Sequence, residues 1–330
     1  MLEFTVFKGS ASGAIVQGST TRDLKDTEVL VRITHSGVCY SDQNYRTQDM
    51  VLGHEGAGTV LQVGAAVTRF SPGQRCAFGY QHSSCNTCAQ CLSGNDAFCP
   101  LKECYAYANR DQGSFGTAAI WDQNWLFHVP EDLASEHAAP LMCAGSTVWS
   151  ALQLYPARPT DRIGVIGLGG LGHVTVLFAK AMGCAVVVFS GSEGKREDAV
   201  KMGADEFYVV TPQTTSLGIG KPLDRLLATG NKQPEWSLFL PLMAPRASIY
   251  PLTIAFDNLT VPFMQFVLAG LRLQGATISS RQGLLEMLDF AARNKITPWI
   301  TEFPMTLEGV SNAMDTLKSG GVRYRAVLRA

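Results

Sequence analysis

Several features are scarce or missing in this chain, and each absence excludes something. No block rich in lysine and arginine occurs, and the formal net charge is −1 over 330 residues. Nucleic acid and anionic membrane surfaces are therefore excluded as expected partners. No apolar run reaches the ~18 residues that cross a bilayer, because glycine, proline or charge interrupts the longest stretches. The amino terminus, MLEFTVFKGSASG, lacks the basic and long apolar regions of a secretory signal. There is no repeat of fixed period and no low-complexity tract. What is present, 46% hydrophobic and 17% charged residues, suits a globular chain of about two domains with a sizeable core.

Cysteine is plentiful by contrast. There are nine, an odd number without a signal peptide, so thiols that are free or metal-bound in a reducing, cytoplasmic compartment are expected. Four of them, Cys85, Cys88, Cys91 and Cys99, follow the spacing C-x2-C-x2-C-x7-C. Four thiolates on short loops make a closed tetrahedral cage suited to a structural Zn²⁺; a redox-active or disulfide-bonded loop is the alternative. Cys39, the pair His54-Glu55 and Cys143 could supply a second, open zinc site. Cys76, Cys104 and Cys184 belong to neither set and read as small buried thiols.

The first ~140 residues are β-rich, with strands expected at Glu28–His35, Gly58–Val63 and Trp121–Val129, followed by helical composition over Ser135–Leu154. From residue 161 strands and helices alternate. Strands are predicted at Arg162–Ile166, Ala185–Phe189, Glu206–Val210, Asp224–Ala228, Ala247–Leu252 and Leu271–Ile278, and helices at His173–Met182 and Lys195–Met202. This is the signature of βαβ units and a doubly wound parallel sheet, an α/β fold. Helices near Gly283–Asn294 and Leu307–Lys318 and a strand at Tyr324–Leu328 complete the chain. The stretch Thr211–Leu223 is short, which predicts a reduced or missing crossover helix.

Gly167-Leu168-Gly169-Gly170-Leu171-Gly172 follows a buried strand and opens a helix, the context that makes a G-x-G-x-x-G run a dinucleotide turn. Gly167 allows the tight turn, Gly169 lets backbone approach a pyrophosphate, and Gly172 permits close packing. A nucleotide-free glycine-rich turn is the alternative. The second strand ends in Ser190, where an NAD site carries an acid, and is followed by Ser192, Lys195 and Arg196. Hydroxyls and cations favour a 2′-phosphate, so NADP(H) is expected; Glu193 argues the other way, unless it points to solvent.

Two thiolates and one imidazole, from Cys39, His54 and Cys143, leave a fourth position for water or substrate oxygen. With GVCYSD, GHEGAGTVLQVG, the four-cysteine lobe, CAGST, GLGGLG and GGVRYRAVL in this order, the chain resembles the zinc-dependent medium-chain alcohol dehydrogenases over nearly its full length. It is most similar to their NADP-dependent cinnamyl-alcohol-dehydrogenase branch. The resemblance implies a Rossmann domain inserted in a discontinuous, β-rich, GroES-like catalytic domain: residues 1–144 and 279–330 for the catalytic domain, 145–278 for the NADP-binding domain, with the active site between them. It implies two zinc ions per chain. Cys39, His54 and Cys143 would hold the catalytic ion, with Glu55 as neighbour and exchange ligand. Asp42 would fix the ring of His54, and Ser41 would relay a proton. Thr147, Gly167, Gly169, Gly170, Leu171, Gly172, Ser190, Ser192, Lys195, Arg196 and Arg325 would contact cofactor. The implied activity is interconversion of an aldehyde and a primary alcohol with NADP(H), running as aldehyde reduction in a homodimer. Reduction of a conjugated C=C or an iminium is the alternative within the fold, and a non-catalytic NADPH-binding protein the alternative outside it.

Three departures stand out. The Cys39–His54 loop is short, Tyr40 stands where the family commonly has histidine, and the Thr211–Leu223 connection is abbreviated. Tyr45, Trp121 and Trp125 line the substrate pocket or pack in the core.

Overall fold

The strand Glu28–Val38 is buried along most of its length because it has a neighbour on each edge and layers on its faces. In the computed structural model, which describes residues 1–330, it is the hub of a seven-stranded sheet. The order is Ile300–Pro304, Arg325–Arg329, Glu28–Val38, Gly56–Val63, Arg75–Phe78, Leu126–His128, and Ala118–Asp122 also pairs with Glu28–Val38. All these pairs are antiparallel except the first, Ile300–Pro304 with Arg325–Arg329, which is parallel. The carboxy-terminal strand thus lies beside the strand that leads to Cys39, with Val38 opposite Ala326. Phe7, Met50, Leu52, Tyr105, Phe115, Met314 and Leu328 form the core beneath this junction.

The chain divides into two compact units, Met1–Ser146 with Ile278–Ala330, and Thr147–Thr277. The second unit is a six-stranded parallel sheet of order Glu206–Val209, Ala185–Ser190, Arg162–Ile166, Leu223–Ala228, Met243–Pro251, Arg272–Leu273. Numbered along the chain this is 3-2-1-4-5-6, the doubly wound Rossmann order. Buried strands such as AVVVFS carry apolar residues at nearly every position, as a sheet covered on both faces requires. The glycine-rich turn joins Arg162–Ile166 to the helix Gly170–Ala181. No helix spans residues 211–222, in line with the short connection.

Several elements differ from expectation. Trp121–Val129 is not one strand. The Asp122 carboxylate accepts from the Asn124 N–H at 2.8 Å and caps a 3₁₀ turn over Gln123–Trp125, which splits the segment in two. Only Arg272–Leu273 of Leu271–Ile278 pairs with a neighbour, because this is the last strand of the sheet and has a partner on one side only. The hairpin Leu2–Lys8 with Val16–Arg22 and the strand Ile300–Pro304 were not anticipated; VQGSTTR buries too little to show a hydrophobic period. Trp121 and Trp125 are each 2% exposed, which places them in the core. No helix is long and apolar enough to cross a membrane.

Candidate functional site

Cys39 ends the strand Glu28–Val38 and caps the short helix Tyr40–Tyr45. Asp42, at the third position of that helix, accepts from the Cys39 N–H at 2.8 Å through Oδ2, which fixes the turn. Its other oxygen, Oδ1, lies 3.0 Å from His54 Nδ1. An ionised carboxylate only accepts, so Nδ1 carries the ring proton and the Nε2 lone pair is left free. That Nε2 is buried and has no partner in the protein. A buried imidazole nitrogen without a partner is costly, and here it shares its surroundings with the sulfurs of Cys39 and Cys143. Cys143 lies in the π-turn Leu141–Gly145. One ligand atom each from Cys39, His54, Glu55 and Cys143 falls within 4.8 Å of every other. The donor set, the tautomer and the orphaned nitrogen all fit a zinc ion.

The electrostatics agree. A hydrogen bond with Cys143, together with His54, holds the Cys39 thiol well below its usual range, burial notwithstanding, while the same bond and burial push the Cys143 thiol up. Burial disfavours charge on His54, but the Asp42 carboxylate and Cys39 outweigh it and raise its pKa, so a cation is favoured at Nε2 and a metal ion would take the place of a proton there. Glu55 is fully buried, and burial lifts its carboxyl to about 7 against the opposing pull of Arg325. The Arg325 guanidinium donates to both Glu55 oxygens. Arg325, expected at the cofactor phosphates, is only 3% exposed and paired in this way. Gly37 makes room for the pair: a Cβ on Gly37 would lie 1.8 Å from Glu55 Oε2. Ser114, which sequence reasoning did not single out, accepts from the Glu55 N–H at 3.1 Å. Ser41 is 9% exposed, with its hydroxyl 3.6 Å from Cys39 Sγ.

The four lobe cysteines also converge. Cys85 Sγ lies 3.6 Å from Cys99 Sγ and 3.9 Å from Cys91 Sγ, and all four sulfurs fall within 4.8 Å of one another. Sulfurs at the corners of a tetrahedral Zn–S₄ cage, about 2.3 Å from the ion, are about 3.8 Å apart, whereas a disulfide brings them to about 2.05 Å. All nine cysteines are free, so the lobe fits zinc and not paired disulfides. Backbone N–H groups of Thr87 and Cys88 draw the Cys85 thiol down to about 6, a thiolate ready to ligate.

In the second unit, Gly172 must be glycine, since a Cβ there would lie 1.9 Å from the Gly167 carbonyl oxygen. Gly169 would meet nothing within 4 Å, a bare patch of backbone at the amino end of the helix containing Gly170, Leu171 and Gly172, as an anion-binding turn requires. Ser190 ends the strand Ala185–Ser190 and receives the Ser192 N–H at 3.4 Å. Lys195 Nζ donates to the Leu168 carbonyl at 2.7 Å, which holds it over the glycine turn. Arg196 stacks on the Phe207 ring and pairs with Glu193 through both carboxylate oxygens. Glu193 therefore does not simply point to solvent; it neutralises one of the two expected cations. Thr147 is the second residue of the helix Ser146–Leu154.

Comparison with known proteins follows the same lines. The alcohol dehydrogenase GroES-like domain matches residues 25–131, and the zinc-binding dehydrogenase family matches residues 170–293. Cinnamyl alcohol dehydrogenase 8 of Arabidopsis thaliana is 32% identical over 94% of this chain and 89% of its own length. NADP-dependent alcohol dehydrogenase C 1 of Mycolicibacterium smegmatis is 32% identical over 94% of this chain and 92% of its own. A cinnamyl alcohol dehydrogenase from Sorghum bicolor superposes with a TM-score of 0.91 at 30% identity, covering 99% of this chain and 98% of that one. With a GroES-like sheet, a Rossmann sheet and two zinc-fitting clusters on one polypeptide, the chain belongs to the zinc-dependent medium-chain alcohol dehydrogenase family, in its cinnamyl-alcohol-dehydrogenase-like branch.

Proposed function

We propose that this chain is an NADPH-dependent aldehyde reductase carrying one catalytic and one structural zinc. The observation that carries the reading is the partnerless His54 Nε2 among the sulfurs of Cys39 and Cys143. Those three residues would hold the catalytic ion, and Cys85, Cys88, Cys91 and Cys99 the structural one. When bound, zinc supplies a Lewis acid for a carbonyl oxygen, and the reduced nicotinamide supplies hydride. The chain's own residues do the remainder. Asp42 keeps the His54 proton on Nδ1. The Ser41 hydroxyl, beside Cys39, would relay a proton from solvent to the oxygen of the reduced product, giving up its own proton and taking one back. Glu55, balanced by Arg325, is the carboxylate beside the three ligands and would exchange with them. The turn Gly167–Gly172 offers its free N–H groups to a pyrophosphate, and Thr147 packs against the nicotinamide.

For the phosphate state, Ser190 and Lys195 support NADP(H), as does the likeness to the NADP-dependent alcohol dehydrogenase of M. smegmatis. Arg196 contributes only when a 2′-phosphate displaces Glu193. Ser190→Asp is expected to reverse the preference, weakening NADPH at least tenfold and leaving NADH unaffected or tighter, as read by fluorescence titration of both; unchanged discrimination would remove Ser190 from the cofactor assignment. A cytoplasmic homodimer is the natural setting. Phe256, Phe263, Met264 and Leu268, all more than half exposed, lie in the chain just before the edge strand Arg272–Leu273 and would give a second copy an apolar surface.

The reaction is tested with an α,β-unsaturated aromatic aldehyde and NADPH. The allylic alcohol is the expected product, identified by NMR and mass spectrometry. A saturated aldehyde would instead establish the 1,4-reductase; an absence of turnover across aromatic and aliphatic aldehydes would favour the iminium reductase if two zinc ions are bound per chain and the non-catalytic reading if only one is.

A further inference from the structure

Tyr105 lies outside the set of candidate ligands, yet its hydroxyl donates to Asp42 Oδ1 at 2.8 Å. Asp42 is completely buried, and its carboxylate accepts from four groups: Cys39 N on Oδ2, and His54 Nδ1, Tyr105 Oη and Gly53 N on Oδ1. Tyr105 supplies the one side-chain donor besides His54 itself. Its hydroxyl has a single proton and receives the Gly53 N–H at 3.1 Å, so the direction of the bond to Asp42 is fixed. Its ring lies 4.7 Å from the His54 ring, centroid to centroid, at an interplanar angle of 35°. Tyr105 is in turn 1% exposed and abutted edge-on by Tyr45 at 5.6 Å. It belongs to the hydrophobic core of its unit, so it cannot swing away.

We infer that Tyr105 is a positioning residue that pins the Asp42 carboxylate and, through it, the orientation and tautomer of His54. This rests on the reading of His54 as a zinc ligand. A carboxylate held by His54 and by backbone alone keeps its charge but gains freedom to rotate. The imidazole bonded to it then loses the fixed direction of its Nε2 lone pair. Partners of this outer kind alter metal affinity measurably without touching the ion.

The test uses the full chain, stripped of metal and reloaded with Zn²⁺ against a chelator of known affinity, and separately with Co²⁺ to read the d–d spectrum. The unaltered protein is expected to take two ions per chain. Tyr105→Phe is expected to keep the lobe ion, release the other roughly tenfold more readily, and shift the cobalt band, with an unchanged circular dichroism spectrum. Tyr208→Phe is the control. It removes a hydroxyl that bonds Glu206 in the other unit and is expected to alter neither readout. Equal affinity and an unmoved band in a Tyr105→Phe chain that still loads two ions would overturn the inference and leave the metal reading intact. An unaltered protein that loads only the lobe would overturn the metal reading itself. If Tyr105→Phe does not fold, 4-fluorophenylalanine at position 105 fills the volume of the hydroxyl but has no proton to donate to Asp42. Several-fold weaker loading of the second ion is then expected, and unaltered loading overturns the inference.

Discussion

His54→Ala is expected to lower kcat/KM for aldehyde reduction by about 10³ or more while NADPH affinity stays within about twofold. A Lewis acid on the carbonyl oxygen contributes several kcal/mol to the barrier, and each ~1.4 kcal/mol is tenfold in rate. NADPH affinity is spared because the glycine turn and Ser190 belong to the compact unit Thr147–Thr277, whereas His54 belongs to the other. The metal count should fall from two per chain to one, with the lobe ion as internal reference. The side chain is completely buried, so its loss also opens a cavity and removes one of four donors from Asp42. A melting curve is therefore needed beside the kinetics, because a folded, one-zinc, inactive protein is the predicted state. Cys39→Ser should behave alike. Turnover within tenfold of the unaltered enzyme, with the second ion gone, would end the proposed role of this centre.

What could be read from the chain beforehand depended on how local each signal was. The lobe was legible because four sulfurs lie within fifteen residues and short loops leave them little choice. The Rossmann sheet was legible because a covered strand such as AVVVFS must be apolar at nearly every position. The His54–Asp42 contact was legible only through resemblance, since nothing in a separation of 12 residues dictates it. Tyr105, Ser114 and the Glu55–Arg325 pair were not legible as site groups. Arg325 reaches Glu55 across 270 residues because the last strand pairs with Glu28–Val38, a fact of topology that no spacing rule encodes. Gly37 did carry a trace of it: a glycine inside a strand marks a close approach, and here the approaching group is the Glu55 carboxylate. The failed strands were failures of competition. Asp122 offered a local cap that broke one of them, and lack of a second neighbour shortened the other.

Removing one lobe sulfur by Cys99→Ala is expected to open residues 83–104 while most of the molecule stays folded. The lobe has almost no hydrophobic core of its own. Leu92 and Leu101 are each more than 70% exposed and Phe98 nearly half, and its only regular pieces are the helix Ala89–Leu92, a 3₁₀ turn and the two-stranded pairing of Gln81–Ser83 with Glu103–Cys104. A segment this short and this exposed cannot offset its own ordering entropy through burial, so a bound metal would have to do so. A side-chain pair ties the lobe to the helix Arg281–Arg293. Asp96, 3% exposed, accepts from the Arg281 backbone N–H at 3.0 Å and from its guanidinium at 2.5 Å, at the start of the helix Arg281–Arg293. Opening the lobe should release that helix terminus as well. Trypsin should then cut after Lys102, whose Nζ is otherwise held by the Ala97 carbonyl at 2.7 Å, at least ~100-fold faster than in the unaltered protein, since cleavage tracks the population of the open form. Asp96→Ala, which keeps all four sulfurs, should retain the lobe zinc and lose only about 1.5–3 kcal/mol for its two bonds together, because Arg281 is 24% exposed and stays partly solvated. If Cys99→Ala resists trypsin as well as the unaltered chain does, then burial and not metal holds the lobe, and the structural zinc has no work to do there.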